Sequence, residues 1–281
     1  MTIAVPVNTM LEPVAITATT VARTPLLQLS GIAKTFASGT AALADLDLTI
    51  DSGEFVSLLG PSGCGKSTLL KLIAGLAAPS SGTIGWSDPD GGGAGKPTLG
   101  IVFQDPTLLP WRTVAENVHL PLLLSGVSRR AARERIAEAL DQVGLHGSSD
   151  AYPRQLSGGM KMRVSIARAL VTAPKLLVMD EPFAALDEIS RCKLNDELLE
   201  LCAARGLTVV FVTHSVYESV FLSSRIVVLS SRPGRIAAEI PIPADYPRSE
   251  EFRTSAFYNE QCRVVSAALR RAMNGGSSGV G

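Results

Sequence analysis

The chain has 281 residues, with 26 lysines and arginines balancing 26 aspartates and glutamates. An apolar share of 46% excludes a disordered protein, and zero formal net charge argues against one that coats nucleic acid or an anionic membrane by bulk electrostatics. At roughly 100 to 200 residues per domain, the length fits one large domain or one domain with a substantial insertion.

Residues 1–24 lack a basic n-region and carry Pro6, Glu12 and Pro13, the composition of a flexible leader rather than a secretion signal. Leu46, Leu48 and Ile50 alternate with Asp45, Asp47 and Thr49, which predicts a half-buried strand, and Phe55 to Leu59 is an apolar run fit for a sheet centre. Further strands are predicted at Leu99 to Phe103, Leu176 to Met179, Thr208 to Val212 and Ile226 to Leu229. Helices are predicted from Ser67 to Ala74, from the cap Ser128 to a stop at Gly144, and from Glu188 to Ala204. Strands alternating with helices of this length read as an α/β fold with a mostly parallel sheet. Between Gln104 and Arg154 helical periodicity dominates, so this segment reads as an inserted helical subdomain. Asp88 to Pro97 reads as a surface loop, Glu250 to Met273 as one last helix, and residues 274–281 as a flexible tail.

No stretch reaches the ~20 apolar residues a membrane span requires, so the chain is expected to stay in the cytoplasm. Cys64, Cys192, Cys202 and Cys262 lack metal-ligand spacing and are expected as thiols, with no disulfide and no zinc.

The most specific local signal is Gly60-Pro61-Ser62-Gly63-Cys64-Gly65-Lys66-Ser67, a G-x-x-x-x-G-K-S loop between a buried strand and a helix. Its glycines let successive N–H groups curl inward and the helix start adds a positive dipole end, a nest suited to a triphosphate. Lys66 would neutralise the β/γ oxygens, and the Ser67 hydroxyl would take one Mg²⁺ position. Leu176 to Met179 runs into Asp180 and Glu181 at the C-terminal edge of its strand, where parallel sheets bind ligands. Asp180 is expected to hold Mg²⁺ and Glu181 to be the general base that polarises the attacking water. A third element is Ser157-Gly158-Gly159 ahead of a helix: Ser157 is a good N-cap, and the two glycines leave the following amides uncovered for a phosphate.

The order of these three elements resembles the ABC (ATP-binding cassette) ATPases, with Leu156 to Gly159 in the place of the family's signature motif. Met160 and Met162 stand where Gln is frequent in that family. The resemblance runs from about Leu26 to Ile236. It implies that Phe36 stacks on adenine, that Thr68 joins the nucleotide-binding loop, that Gln104 senses Mg²⁺ and the γ-phosphate, that Asp187 forms the D-loop and that His214 is the switch histidine. It implies a P-loop cassette whose core, an α/β part with an antiparallel β edge, spans 25–103 and 155–245 around a helical subdomain at 104–154, followed by a C-terminal helix at 246–273. Two cassettes would pair head to tail, Ser157 and Gly159 of one closing over the nucleotide of the other. Within the family, Gln104 to Val118, Ala185 to Arg191 and Val228 to Arg235 look like importer ATPases of the nitrate/sulfonate/taurine group, which also includes pyrimidine-precursor systems.

That likeness implies a homodimer binding ATP and Mg²⁺ and working on integral permease subunits at the inner face of the membrane. A solute-binding protein would be an indirect partner, and no nucleic acid is expected. Trp111 and Arg112 would anchor the permease contact. Two other readings stay open: an exporter ATPase, and a non-transport cassette acting on DNA or ribosomes. Relatives of the last kind usually carry a coiled coil, tandem cassettes or zinc modules, which this chain lacks.

Overall fold

The computed structural model describes residues 24–87 and 97–274. The expected leader at 1–24, apart from Thr24, most of the loop at 88–97 and residues 275–281 lie outside the described residues.

Two sheets organise the chain. Three antiparallel strands, β1 (Pro25–Thr35), β2 (Ala41–Asp51) and β4 (Ser81–Trp86), form one sheet in the order β2-β1-β4. The other has six strands, including β3 (Phe55–Leu59), β5 (Leu99–Val102), β6 (Leu176–Asp180) and β7 (Thr208–Val212). Adding β8 (Arg225–Leu229) and β9 (Ile236–Pro241), its order is β5-β6-β7-β3-β8-β9, parallel throughout except at the β9 edge.

Alternation along the parallel strands divides the apolar side chains between two cores. Phe55, Leu177, Met179, Val209, Phe211, Ile226 and Val228 face one side and join the larger core. Val56, Leu58, Val178, Val210, Val212, Val227 and Leu229 face the other, packing with the antiparallel sheet and α1 (Lys66–Ala74). Burial on both faces is why these strands read as unbroken apolar runs.

Between β5 and β6 come three helices: α2 (Val114–Leu124), α3 (Arg129–Gln142) and α4 (Gly158–Leu170). The N-terminus of α2 is closed by a capping box: Thr113 Oγ1 accepts from the Glu116 amide, and Glu116 Oε2 accepts from the Thr113 amide at 2.9 Å. Ser128 caps α3, and Gly144 follows its end with φ 66°. Met162 is buried and Met160 packs against the larger core, so the two residues that stand apart from the family's glutamines serve packing.

After α5 (Glu188–Arg205) and α6 (Val216–Leu222), the C-terminal segment is two helices, not the single one expected from Glu250 to Met273. α7 (Glu250–Thr254) stops at Ser255, whose backbone is extended, and α8 (Ala256–Asn274) resumes at once. Asn274, expected in the tail, is its last residue. The segment is pinned by Arg248, only 5% exposed. Its Nη1 donates to the carbonyls of Val220, Phe221 and Ser223 at 2.8–2.9 Å and its Nη2 to Ala244 at 3.1 Å. Those carbonyls at the end of α6 would otherwise be orphans. Among the described residues no helix is long and apolar enough to cross a membrane.

Candidate nucleotide site

The C-terminal edge of the parallel sheet gathers the loops that carry chemistry, as expected of such sheets. The 60–65 loop follows β3, Gln104 follows β5, Asp180 and Glu181 close β6, His214 follows β7, and the turn at 230–235 follows β8.

The loop after β3 enters α1 through Gly65, at φ 107° and with no side-chain cap. A Cβ on Gly65 would meet Ala42 O at 2.8 Å, so no other residue fits there. Lys66 is 7% exposed, and its Nζ donates to Gly60 O at 2.8 Å and Pro61 O at 3.1 Å. With Cys64 Sγ at 3.9 Å, every partner belongs to the loop itself, and none is a carboxylate. A buried cation held by neutral carbonyls beside an uncapped helix start suits an anionic ligand. Cys64 is buried behind the loop, and burial pushes its thiol pKa up.

These groups open onto a cavity of about 310 Å³. Ser62, Gly63, Gly65, Lys66, Ser67 and Thr68 line it, with Phe36 and Thr40 on one side and Glu181 on another. Phe36 is 46% exposed, and its turn is closed by the Phe36 amide donating to Thr40 O at 3.0 Å. Its ring is accessible for stacking.

Ser67 Oγ donates to Asp180 Oδ1 at 3.2 Å, joining the loop to the end of β6. Burial holds the Asp180 carboxyl above its ordinary range, against the Ser67 hydrogen bond that lowers it. A hydroxyl and a desolvated carboxylate are hard oxygen donors of the kind Mg²⁺ takes. Glu181 has φ 47°, left-handed for a non-glycine, and is held by its amide donating to Val212 O at 3.0 Å. His214 Nδ1 lies 3.2 Å from Glu181 Oε2.

Behind His214, Thr213 Oγ1 donates to Glu218 Oε2 and accepts from the Ser215 amide at 3.0 Å. Burial pushes the Glu218 carboxyl up. Arg191 Nε stands 3.9 Å from Glu218 Oε1, and its Nη2 donates to Leu186 O at 2.9 Å. The turn that carries Asp187 and the turn that carries His214 are thereby tied together. Asp187 caps α5, accepting from the Ser190 amide at 2.9 Å, which holds its carboxyl below the usual range.

The structure therefore brings together Phe36, the 60–68 loop, Asp180, Glu181 and His214. Gln104 lies in the bend after β5, exposed and off the cavity wall, and Asp187, Ser157, Gly158 and Gly159 do not line the cavity either. Ser157 and Gly158 are exposed at the start of α4. The amides there are less bare than expected, because Ser157 Oγ accepts from Met160 N at 3.3 Å. Thr40, Ala42 and Arg232 line the cavity without any motif that marks them, and Arg232 is the charged one of the three. Its Nε donates to Gly63 O at 2.6 Å. The only sequence signal was its place inside the Val228 to Arg235 run.

Trp111 is 71% exposed, so it does not belong to the core. Its turn is held from inside by the fully buried Asn117. Asn117 Oδ1 accepts from Leu109 N at 2.7 Å, and its Nδ2 donates to the carbonyls of Leu109, Arg112 and Thr113.

Comparison with known proteins places this geometry. The family described as ABC transporter matches residues 43–184. The aliphatic sulfonates import ATP-binding protein SsuB of Bacillus licheniformis is 43% identical over 228 residues, covering 80% of this chain and 87% of that protein. The nitrate import ATP-binding protein NrtC of Synechococcus elongatus is 48% identical over 234 residues, which is 80% of this chain and 35% of that longer protein. Among solved structures, the dimeric post-hydrolysis cassette MJ0796 bound to ADP and Pi superimposes with a TM-score of 0.67 at 34% identity, covering 78% of this chain and all of that one. CbiO1 of Clostridium perfringens, part of the ABC transporter complex cbiONQ, gives a TM-score of 0.70 at 28% identity, covering 88% of this chain and 97% of that one. Family match, relatives and superposition agree: this chain belongs to the ABC transporter family, as one of its ATP-binding cassettes.

Proposed function

We propose that the chain is the ATP-hydrolysing subunit of an importer, working as a homodimer on separate permease subunits at the inner face of the membrane. The observation that carries the catalytic part is the buried Lys66, held by neutral carbonyls at an uncapped helix start, beside the linked Ser67–Asp180 and Glu181–His214 pairs. Nucleotide enters with its base on Phe36 and its phosphates in the 60–68 loop, Lys66 leaving its carbonyls for the phosphate oxygens. Ser67 and Asp180 would hold Mg²⁺, with Gln104 swinging in from its bend; the ion supplies charge neutralisation on the phosphates. Glu181 takes the proton of the attacking water, and His214, whose Nδ1 lies 3.2 Å from Glu181 Oε2, holds that carboxylate in place.

The exposed start of α4 supports the composite site: Ser157 and Gly158 are exposed and half-buried Gly159 borders open space, where a second copy's phosphates can reach them, and exposed Asp187 lies next to Leu186, which borders Gly158. The importer reading is supported by the nitrate and sulfonate import proteins named above. The solute belongs to the nitrate, sulfonate, taurine or pyrimidine-precursor type and is bound by other subunits. Trp111, exposed on a rigid turn, is the anchor for the permease. The test is phosphate release by the purified chain with Mg²⁺-ATP, followed by solute uptake into vesicles holding its permease and binding protein. Absence of ATP turnover in both settings would refute the reading.

A further inference from the structure

The turn between β8 and β9 is built to hold one side chain over the nucleotide loop. Ser230 N donates to Arg235 O at 2.9 Å, and Arg235 N donates to Ser230 Oγ at 3.1 Å, closing the turn. Gly234 then fastens it to the rest of the site. Its amide donates to Ala42 O at 2.9 Å, its carbonyl accepts from Ala44 N at 3.1 Å, and a Cβ at this position would overlap the Cys64 carbonyl. Between these fixed points Arg232 reaches into the cavity that Phe36, Lys66 and Ser67 line. Its Nε is committed to Gly63 O, and a Cβ on Gly63 would lie 2.9 Å from its Nη2. Gly63 O is the single polar partner of Arg232 among the described residues. The guanidinium is thus oriented by one hydrogen bond, and its four remaining N–H groups are uncommitted.

We infer that Arg232 is a second polyphosphate-binding cation of this cassette, set against the phosphate loop in the cavity that Lys66 also lines. A planar fork fixed through Nε can give two parallel hydrogen bonds to phosphate oxygens, which a flexible ammonium cannot reproduce as well. Because its own anchor is the loop carbonyl, the same contact reads whether the loop is in place. The inference rests on the cavity being the ATP site.

The experiment measures equilibrium ATP binding by the full-length chain, at protein concentrations that keep it monomeric, for wild type, Arg232→Ala, Arg232→Gln, Arg232→Lys and Lys66→Ala. Lys66→Ala tests the cavity assignment separately: wild-type ATP affinity in that variant would remove the site itself, whatever Arg232 does. With the site upheld, Arg232→Ala should weaken ATP binding at least about fivefold at low salt, and raising the ionic strength should shrink the difference. Arg232→Lys keeps the charge and should recover part of the loss. Arg232→Gln can still donate to Gly63 O but has no charge, so it should bind as weakly as Arg232→Ala. Wild-type affinity in Arg232→Gln would show that Arg232 only braces the loop and would overturn the inference. So would unchanged ATP affinity in Arg232→Ala, including the case in which that variant binds ATP normally but no longer dimerises, which would assign Arg232 to a contact with the second copy.

Discussion

Two helices of this chain begin with glycine-rich turns, and they begin differently. α1 starts at Gly65 with no side-chain cap, inside a cavity, with the adjacent Lys66 buried. α4 starts at Ser157, whose hydroxyl covers the Met160 amide, and it does so on the surface. Free amides at a helix start are a standing cost unless something satisfies them. At α1 the chain leaves the amides bare where a ligand's phosphates can enter within the same fold. At α4 it covers one amide and leaves the start out in solvent, where only another molecule can supply an anion. If the proposed pairing of two copies holds, the same local composition makes one site that is complete within a chain and one half-site that takes a partner's nucleotide.

The largest effect expected from that difference is at α1. Lys66→Ala removes the buried cation of the nucleotide cavity, and phosphate release should fall below about a tenth of wild type while the protein stays folded, because every polar partner of Lys66 lies in its own loop. A steady-state phosphate assay beside circular dichroism reads both.

The half-site is tested by Glu181→Gln, which keeps size but loses the base. Bound ATP should persist, and light scattering should show a dimer that forms only with ATP. Adding Ser157→Arg puts bulk and charge on the exposed start of α4, so the double variant should bind ATP as tightly as the single one and stay monomeric. If it dimerised equally well, the contrast between the two helix starts would have no functional meaning.

Moderate effects are expected at the adenine side. Stacking of a base on an aromatic face is worth ~1 to 3 kcal/mol, so Phe36→Ala should weaken ATP binding roughly tenfold in a fluorescence titration, and Phe36→Tyr should bind almost normally. Equal loss in both would assign the ring to packing.

The smallest effect is on stability. Burial raises the folded pKa of Asp180, so above that value the ionised carboxylate costs the folded chain stability, and the cost disappears as pH falls below the ordinary carboxylate range. Asp180→Asn should therefore raise the melting temperature of the metal-free protein by about 1 to 3 °C near pH 7, with the gain closing on acidification. The same variant should lose Mg²⁺-dependent ATP turnover, which calorimetry and the phosphate assay together would reveal.

What could be read in advance follows from how local each signal is. β3, β6, β7 and β8 are buried on both faces, so their apolar runs are continuous and visible. β4 is mostly exposed, and β1 carries register shifts near Gly31, so neither shows a clean period; β9 does alternate, with Ile236, Ala238 and Ile240 on the inner face, but over only six residues, two of them alanine and one proline. The break at Ser255 was hidden because α7 and α8 follow each other without an intervening Pro or Gly. In the site, Lys66 and Ser67 announce themselves by spacing along one loop. Arg232 does not, since its place over Gly63 depends on Gly234 docking onto β2 and the Cys64 carbonyl, residues about 170 to 190 positions earlier in the chain. The exposure of Trp111 is not legible locally either, since its turn is held by the buried Asn117, six residues further on.

The Arg248 clamp has a practical bearing on where this protein can be cut. The family match ends at residue 184 and the last strand at Pro241, which invites trimming to a shorter cassette. Trimming there would delete the guanidinium that closes the end of α6 and leave the carbonyls of Val220, Phe221 and Ser223 without their donor. α6 begins two residues after His214, so one short helix joins the Arg248 clamp to the loop that carries His214. The segment from Arg248 to Asn274 is thus a rivet for the half of the molecule that carries α6, and a minimal cassette has to keep it.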